Sequence, residues 1–280
     1  RIQKQEFVSA GRGLSFFNGY YDDNGRRVEG RQAAGPRMSL TGQVFPVMAG
    51  IATDDQVGKV IASVRRLLKD PKTGGVRLNT DFGGIQHSLG RAFSFAYGEK
   101  ENGAVFSHMA VMYAFGLYLR RRPEAGRAAW STLYRMATDG ATAKIFPCIP
   151  EYFNASGRGM YCFLTGSASW LIYLLLTQVF GVRGEGGDLV IDPQLTRDDF
   201  GADGTCAIRT HFAGRPLRIL FVNSKRLPPG RYAVGRVEAG GEPLAFVPRA
   251  GGGIRLTRRT IGLLPAGRET KLVVNLVRGL

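Results

Sequence analysis

The stretch LTGSASWLIYLLLTQVFGVRGEGGDLVIDP, residues 164–193, decides the fold because its pattern of apolar residues changes part-way along it. Up to Gly181 it has a polar start and a long apolar body, which is typical of a buried helix. After Gly181 short apolar segments alternate with glycine and proline, which is typical of strands. We therefore predict a mainly α fold over residues 1–186, followed by a C-terminal β domain over residues 187–280.

Four further helices are predicted upstream of this stretch. Asp54 is positioned to cap one of them, and Pro123 has the character of a helix start in another. Two long connections, residues 72–103 and 144–163, alternate with short ones, as in helix hairpins whose long loops gather at one end. Loops of that length in a compact domain are usually functional. The five predicted helices span residues 38–52, 55–68, 106–121, 124–138 and 164–180.

The segments after Gly181 predict a sheet-based domain. Six of them have a period of two and are separated by Pro-Gly or Gly-Gly turns. Regular short strands with such turns are typical of an antiparallel β-sandwich of jelly-roll type. The predicted strands lie within residues 188–195, 205–212, 216–224, 230–237, 253–259 and 271–278.

The composition is that of a globular protein, with 44% hydrophobic and 21% charged residues among 280. The longest apolar run, WLIYLLL, is far shorter than the roughly 20 residues that span a bilayer. No segment resembles a signal peptide, and the first residues, RIQKQEF, lack an initiator methionine. We therefore expect a cytoplasmic protein without a membrane span, of which this chain lacks the N-terminal part.

The net charge of +16 raises the question of a nucleic-acid partner. The arginines are scattered in short runs along the chain, and those at helix C-termini complement the helix dipole. No known nucleic-acid motif is present, so we expect no nucleic-acid binding and rank that alternative last.

Cysteine and histidine usage argues against metal binding. Cys148, Cys162 and Cys206 have no CxxC spacing and leave one thiol unpaired in any disulfide scheme, which favours a reducing compartment. The three histidines lie far apart along the sequence. We therefore expect no metal site.

Two helices begin with polar residues that suit an anion. In YGEKENGAVFSHMAVMYAFGLYLR, Tyr97 to Arg120, His108 lies where a charged turn meets an apolar helix. In the stretch that opens with LTGSASW, Thr165, Gly166 and Ser167 occupy the same position. A helix N-terminus offers unpaired amides and a partial positive charge to an anion. The alternatives are an ordinary N-cap and an ordinary structural histidine.

Loop residues around these helix starts suit a sugar. Lys100 and Glu101 crowd the turn before His108, and they cannot be buried without partners. Glu151 and Tyr152 lie among prolines and aromatic residues in the second long loop, although a plain surface turn explains them about equally well. We interpret Glu99 as a solvated charge.

These motifs resemble glycoside hydrolase family 94, the inverting β-glucoside phosphorylases. The resemblance extends from Gly19 to Pro193 and rests on NGYYDDNGRRVEG, GEKENGAVFSH and the stretch at 164–193. The segments MSLTGQVFPVMAGIA and RLNTDFG are most similar to the 1,2-β-oligoglucan phosphorylases and the C-terminal region of cyclic β-1,2-glucan synthases.

The resemblance implies a fold and residue roles. The fold is the second half of an (α/α)6 barrel followed by a β-sandwich. His108, Thr165 and Gly166, with Ser167 beside them, correspond to phosphate-binding positions. Glu101 of the KENG motif corresponds to a carboxylate near the acceptor sugar. Glu151 falls near a position that contacts the donor glucose, and Lys100 and Tyr152 are its neighbours at the predicted sugar site.

One part of the family pattern is absent from this sequence. The family's general acid is the aspartate of a GDWND motif, whereas the tryptophans here, Trp130 and Trp170, lie in other contexts. The family also has a large N-terminal β-domain that completes the site across a homodimer. We therefore expect no catalytic residue in this segment, and no activity from it alone.

The predicted reaction is reversible phosphorolysis of a β-gluco-oligosaccharide to α-glucose 1-phosphate, with inorganic phosphate as co-substrate and no cofactor. Protonated His108 is expected to assist phosphate, which predicts weaker binding as pH rises through a pKa near 6.5. The alternatives are a cellobiose- or cellodextrin-type phosphorylase, the phosphorylase region of a cyclic β-glucan synthase, and a non-catalytic carbohydrate-binding remnant.

Overall fold

The computed structural model describes residues 1–11, 13–145, 148–163 and 165–279. The chain divides into two compact units, Arg1–Ile172 and Tyr173–Leu280. This division precedes the predicted boundary at residue 186. The reason is that Val182–Glu185, predicted to belong to the helical part, is a strand that pairs with Asp188–Ile191.

The first unit combines helices with small antiparallel sheets. Its helices are α1 (Ile2–Gln5), α2 (Thr41–Met48), α3 (Asp54–Leu67), α4 (Ser107–Leu119), α5 (Pro123–Thr138), α6 (Gly140–Ala143) and α7 (Ser167–Leu174), of which α7 runs across the division. Its strands are β1 (Phe7–Gly11), β2 (Leu14–Phe17), β3 (Gly30–Gln32), β4 (Gly35–Arg37), β5 (Val105–Phe106), β6 (Tyr152–Phe153) and β7 (Gly159–Met160). β1 pairs with β2, β3 pairs with β4, and β5, β6 and β7 form one sheet.

Helix α4 is the buried centre of the first unit. Ten of its 13 residues are buried. A helix that is apolar on every side needs covering all round, and both α2 and α5 contact it. The five predicted helices are thus found, α2, α4 and α7 with shorter bounds and α3 and α5 beginning one residue earlier than predicted. Their arrangement as half of an (α/α)6 barrel stays a prediction.

The start of α3 differs from the prediction by one residue. Thr53, not Asp54, is the N-cap, because its hydroxyl accepts the amide of Gln56 at 3.2 Å while the Gln56 side chain accepts the amide of Thr53 at 3.0 Å. This reciprocal pair is a capping box. Asp54 instead lies in the first turn and forms an ion pair with Arg120 at 2.8 Å.

The long connection 72–103 has a small core of its own. It contains two 3-10 turns, His87–Leu89 and Arg91–Ser94. Phe82, Leu89 and Phe93 are buried together with Val28, and the rings of Phe82 and Phe93 stack at 4.7 Å. This packing fixes the loop ahead of α4.

The second unit contains two sheets. After the end of α7 and a π-helical turn at Leu175–Val179, its elements are β8 (Val182–Glu185), β9 (Asp188–Ile191), β10 (Thr205–Phe212), β11 (Arg215–Val222), β12 (Tyr232–Ala239), β13 (Glu242–Pro243), β14 (Val247–Pro248), β15 (Ile254–Leu256), α8 (Arg258–Gly262) and β16 (Thr270–Arg278). The strand orders are β10-β11-β16-β12-β13 and β14-β15-β9-β8.

The larger sheet is not wholly antiparallel, which corrects the predicted topology. β11 pairs with β16 in parallel, with Ile219 opposite Leu272. Parallel neighbours need a crossover connection, which here is the chain from β12 to α8. The end of the predicted strand at 253–259 is also wrong, because Thr257 caps α8. The sandwich arrangement itself stays a prediction.

The period of two in the sequence corresponds to one buried face of the larger sheet. Alternate residues of β11 and β16 are buried, and the residues between them are exposed or half-buried. Side chains of the buried face that match in register are Ile219, Phe221, Leu272, Val274 and Val237.

Candidate functional site

A short strand pair holds the start of α4 against the second long loop. Phe106 lies opposite Tyr152 in the β5–β6 pair. Directly after it, the Ser107 amide donates to the Glu151 carbonyl at 2.9 Å. Glu151 therefore positions the α4 start through its backbone, and its side chain is half-buried.

The start of α7 is tied to the same loop. The Ser167 hydroxyl donates to the Pro150 carbonyl at 3.1 Å, and Ser167 is fully buried. The Ser167 amide donates to the Thr165 hydroxyl at 3.2 Å, and that hydroxyl donates back to the Ser167 hydroxyl at 3.1 Å. Thr165 thus acts as a cap of α7, and Ser167 is a positioning residue.

His108 and Gly166 face each other across these two helix starts. A Cβ atom added to Gly166 would lie 3.3 Å from His108 Cε1 and 3.9 Å from each ring nitrogen. On the next turn of α7, the Trp170 ring lies 5.8 Å from the His108 ring. The absence of a side chain at Gly166 therefore leaves the backbone of α7 open to the imidazole. The sequence predicted that the two helix starts converge, and they lie side by side.

Two polar atoms at the α4 start have unmet hydrogen-bonding capacity. Among the described residues, Ser107 Oγ and His108 Nε2 are buried and have no hydrogen-bond partner. Such atoms cost free energy unless a ligand or water satisfies them. Burial lowers the pKa of His108 below its usual 6.5. The predicted weakening of phosphate binding as pH rises through the pKa of His108 stays a prediction.

The KENG turn is built around a buried asparagine. The Asn102 side chain accepts from Asn79 Nδ2 at 3.0 Å and donates to the Phe95 carbonyl at 2.7 Å. The Asn79 side chain in turn accepts the Gly103 amide at 2.8 Å. Gly103 has φ +75°, and any Cβ there would overlap the Tyr97 ring. Asn79 thus fixes the motif. This role was not predicted from the sequence, where the only indication is a polar residue in a glycine-rich loop.

The charged residues of the KENG turn have specific partners. Glu101 Oε1 accepts from Arg91 Nη1 at 2.8 Å, whereas Glu101 Oε2 is buried and has no partner among the described residues. Lys100 has φ 46°, and its ammonium lies 4.3 Å from the centre of the Tyr161 ring. Arg91 was not predicted. It orients the carboxylate whose second oxygen remains available.

Tyr152 is not an exposed platform for a sugar. It is 2% exposed, its ring is parallel to that of Phe106, and its hydroxyl donates to Glu99 Oε2 at 3.2 Å. Burial and the Glu99 carboxylate raise the pKa of Tyr152 to about 12. The interpretation of Glu99 as a solvated charge is therefore wrong, since it is half-buried and hydrogen-bonded.

The described residues were also compared with two other classes of site. No group of three or more His, Cys, Asp or Glu side chains in the described ranges gathers around a point that would suit a metal ion. Likewise, no described helix combines the length and apolar character needed to cross a membrane.

The sequence of this chain matches a known family. The family described as "Glycosyl hydrolase 94 superfamily, catalytic domain" matches residues 8–128. Over these residues the chain is similar to glycoside hydrolase family 94. The resemblance carried by the KENG motif and His108 is thereby confirmed. The matched segment contains α2, α3, α4 and the whole 72–103 loop.

Three proteins with described activities are similar to this chain. A 3-O-beta-D-glucopyranosyl-beta-D-glucuronide phosphorylase of Paenibacillus borealis is 26% identical over 190 residues, 64% of this chain and 24% of that protein. A cellobionic acid phosphorylase of Neurospora crassa is 27% identical over 175 residues, 57% of this chain and 22% of that protein. The cyclic beta-(1,2)-glucan synthase NdvB of Rhizobium meliloti is 26% identical over 192 residues, 63% of this chain and 7% of that protein. The chain thus spans less than a quarter of each relative's length.

Proposed function

We propose that this chain is part of an inverting glycoside phosphorylase that uses inorganic phosphate to cleave a β-glucan, reversibly, into α-glucose 1-phosphate and a shorter glucan. The observation that carries the proposal is the pairing of the His108 ring with Gly166 at the start of α7. The family match and the phosphorylase relatives support the reaction class.

Phosphate is proposed to lie between the two helix starts. The unpaired Ser107 Oγ and His108 Nε2 are the buried groups on the α4 side. On the α7 side, Gly166 lets an anion approach the helix N-terminus, whose amides and dipole favour negative charge. Thr165 and Ser167 hold that terminus to the Pro150 carbonyl. His108 donates an N–H to the anion, and bound phosphate would favour protonation of the ring.

The reaction needs an acid but no base. A carboxylic acid protonates the glycosidic oxygen as the bond to the anomeric carbon breaks, and a phosphate oxygen attacks that carbon from the opposite face. Phosphate is already an anion, so it requires positioning more than deprotonation. We place the general acid outside these 280 residues, since the family's GDWND motif is absent from them. By that proposal this segment alone is inactive.

The sugar is proposed to contact the KENG turn and the second long loop. Glu101 presents one unpaired buried oxygen, and Arg91 fixes the other. Lys100 and Glu151 lie on the two loops that meet at β5 and β6. The Tyr152 hydroxyl donates a hydrogen bond to Glu99, and its ring does not stack on the sugar.

A β-1,2-linked gluco-oligosaccharide is the proposed substrate, since the sequence most resembles that branch and one relative is a cyclic beta-(1,2)-glucan synthase. Cellobiose-type specificity is the alternative. The intact enzyme is proposed to be a cytoplasmic homodimer. A carbohydrate-binding remnant without turnover is the alternative of another class.

The test is phosphate release by the full-length gene product from α-glucose 1-phosphate, with glucose, sophorose and cellobiose as acceptors. Release with sophorose supports the β-1,2 proposal, and release with cellobiose favours the alternative. With glucose as acceptor, the linkage of the disaccharide product distinguishes the two. No release with any acceptor, from protein that still binds glucan, would favour the remnant.

His108→Ala and Thr165→Ala should each raise KM for phosphate about tenfold or more, with a smaller change in KM for the glucan. The reason is that removing one hydrogen bond to a charged ligand costs roughly 1.5–3 kcal/mol. Gly166→Ala should act in the same direction, because its methyl group fills the space against His108. His211→Ala, an exposed histidine of the second unit, is the matched control. Equal effects on both KM values would contradict the phosphate assignment.

A further inference from the structure

Two cysteine thiols lie in contact beside the candidate site. The Cys162 side chain lies close enough to Cys148 to raise the pKa of the Cys148 thiol. The two residues begin and end a hairpin whose strands are β6 and β7, with Tyr152 opposite Met160. Near its base, the Glu151 amide donates to the Met160 and Tyr161 carbonyls at 3.1 and 3.0 Å. The antiparallel pairing therefore brings the two ends of the hairpin, which carry Cys148 and Cys162, close together.

From this geometry we propose that Cys148 and Cys162 form a redox modification site, where a small-molecule disulfide such as oxidised glutathione converts them into an intramolecular disulfide. Both thiols are free and only half-buried, so a reagent can reach them. Neither has a role in the function proposed above, and the inference does not depend on that function.

The backbone around Cys162 favours a fixed side-chain direction. Tyr161 has φ 58° and Phe163 has φ 71°, so a left-handed non-glycine residue stands on each side of Cys162. This left-handed conformation is rare for residues other than glycine, and it persists where the surrounding structure fixes it. Tyr161 is held by Lys100, whose ammonium lies over its ring. The contact between the thiols is therefore part of a defined local structure.

The chemistry balances as two thiol–disulfide exchanges. One protein thiolate attacks a sulfur of the small disulfide, forms a mixed disulfide and releases one small thiol. The second protein thiolate then attacks the protein sulfur of that mixed disulfide and releases the second small thiol. The protein loses two protons and two electrons, and the small disulfide gains them.

The exchange should be slow at neutral pH. Burial, together with the contact to Cys162, raises the pKa of Cys148 to about 11. Since the thiolate is the reactive form, the rate of disulfide closure should rise about tenfold per pH unit between pH 7 and 9.

The disulfide would close the hairpin that carries Glu151 and Tyr152. The residue after Cys148 leads directly to Pro150, whose carbonyl holds Ser167 at the start of α7. Oxidation therefore links the two strands at the point where the second long loop meets the candidate phosphate site.

The experiment treats the 280-residue chain with oxidised glutathione and maps its cysteines by mass spectrometry after trypsin. The three cysteines fall into three different tryptic peptides, residues 145–158, 159–183 and 198–209. We expect the intact chain to lose the mass of two hydrogen atoms, a cross-link between the first two peptides, and full reversal by dithiothreitol. Cys206 should keep its free thiol.

Variants make the result decisive. Cys206→Ser should close the disulfide at the wild-type rate, whereas Cys148→Ser should stop at a glutathione adduct on Cys162. Glutathione adducts without a cross-link in the wild-type chain, or cross-links that involve Cys206, would overturn the proposal. If Cys148→Ser does not fold, the wild-type peptide map alone decides.

Discussion

Gly103 is the residue on which the geometry of the KENG turn depends. Its φ of +75° is a conformation that glycine adopts freely, and the Tyr97 ring occupies the place of a side chain. Gly103→Ala should therefore lower the free energy of unfolding by roughly 2–4 kcal/mol, from backbone strain and overpacking together. Urea denaturation monitored by circular dichroism measures the change.

Gly58→Ala is the matched control for that substitution. Gly58 lies in α3, where an added Cβ meets nothing within 4 Å. Alanine there should be neutral or stabilise by up to about 1 kcal/mol, since it has the higher helix propensity. Similar losses at both positions would contradict the assignment of a special role to Gly103.

Glu29 gives the first unit a pH dependence. Its buried carboxylate accepts the amides of Gly19 and Ser39, and burial raises its pKa to about 7 despite these bonds. The folded chain binds a proton on Glu29 more tightly than the unfolded chain does. Protonation of Glu29 therefore makes its full contribution to stability below pH 4.5. It is lost as pH rises through about 7.

Unfolding measured from pH 4.5 to 8 checks this effect. The difference in unfolding free energy between wild type and Glu29→Gln should change by up to about 3 kcal/mol over that range, with wild type gaining toward low pH. A difference that stays constant with pH would contradict the raised pKa.

At the candidate site, the sequence predicted which residues meet but not how their polar groups are used. The polar starts of two apolar helices predicted that His108 and Gly166 converge, and the structure brings them together. Capping and anion binding use the same residue types, so the internal bonding of Thr165 and Ser167 was not predictable from their identity. Nor was Arg91, because ion pairs between loops depend on the fold.

Among the elements, strands β10, β11 and β16 of the larger sheet carry an unfavourable row of like charges. Arg218 in β11 lies opposite Arg209 of β10 and Lys271 of β16, and all three are exposed. Like charges directly opposite one another on a sheet destabilise it. Glu269 neutralises Arg209 in part, at 2.9 Å.

Arg218→Glu should therefore stabilise the second unit by roughly 0.5 kcal/mol at low ionic strength, because one anion would lie between two cations. Thermal unfolding at 20 mM and 500 mM salt measures it, because the Debye length is about 20 Å at the lower concentration, where screening is weak, and about 4 Å at the higher, where screening is strong. Arg218→Gln, which removes repulsion without adding attraction, should gain less. A loss of stability in Arg218→Glu at low salt would count against this account.

The elements that the sequence predicted are those with enough residues to show a period. Helices α3, α4 and α5 and strands β10, β11 and β16 span eight or more residues, and all were predicted. The two-residue strands β5, β6 and β7 are too short to show alternation, yet they join the two loops of the candidate site. Alternation also carries no information on strand direction, which is why the parallel β11–β16 pair was missed.

For the whole molecule, the change of period near Gly181 predicted a helical part followed by a sheet-based part, and the chain divides into two compact units, Arg1–Ile172 and Tyr173–Leu280. The first unit is built around α4, and the second around the buried face of its larger sheet. The net charge of +16 is a property of the complete chain. The row of opposed cations formed by Arg209, Arg218 and Lys271 is only three residues wide, so it is a poor basis for a nucleic-acid site.

The position of β16 has a consequence for synthesis of the protein. It lies between β11 and β12 in the middle of its sheet, although it is synthesised after the other four strands of that sheet. Until then, the hairpin β10–β11 and strand β12 each expose an unpaired edge, of the kind that recruits other chains. Translation that stops before Thr270 would leave a nascent product with its sheet open at the centre, and such products should be prime clients of chaperones.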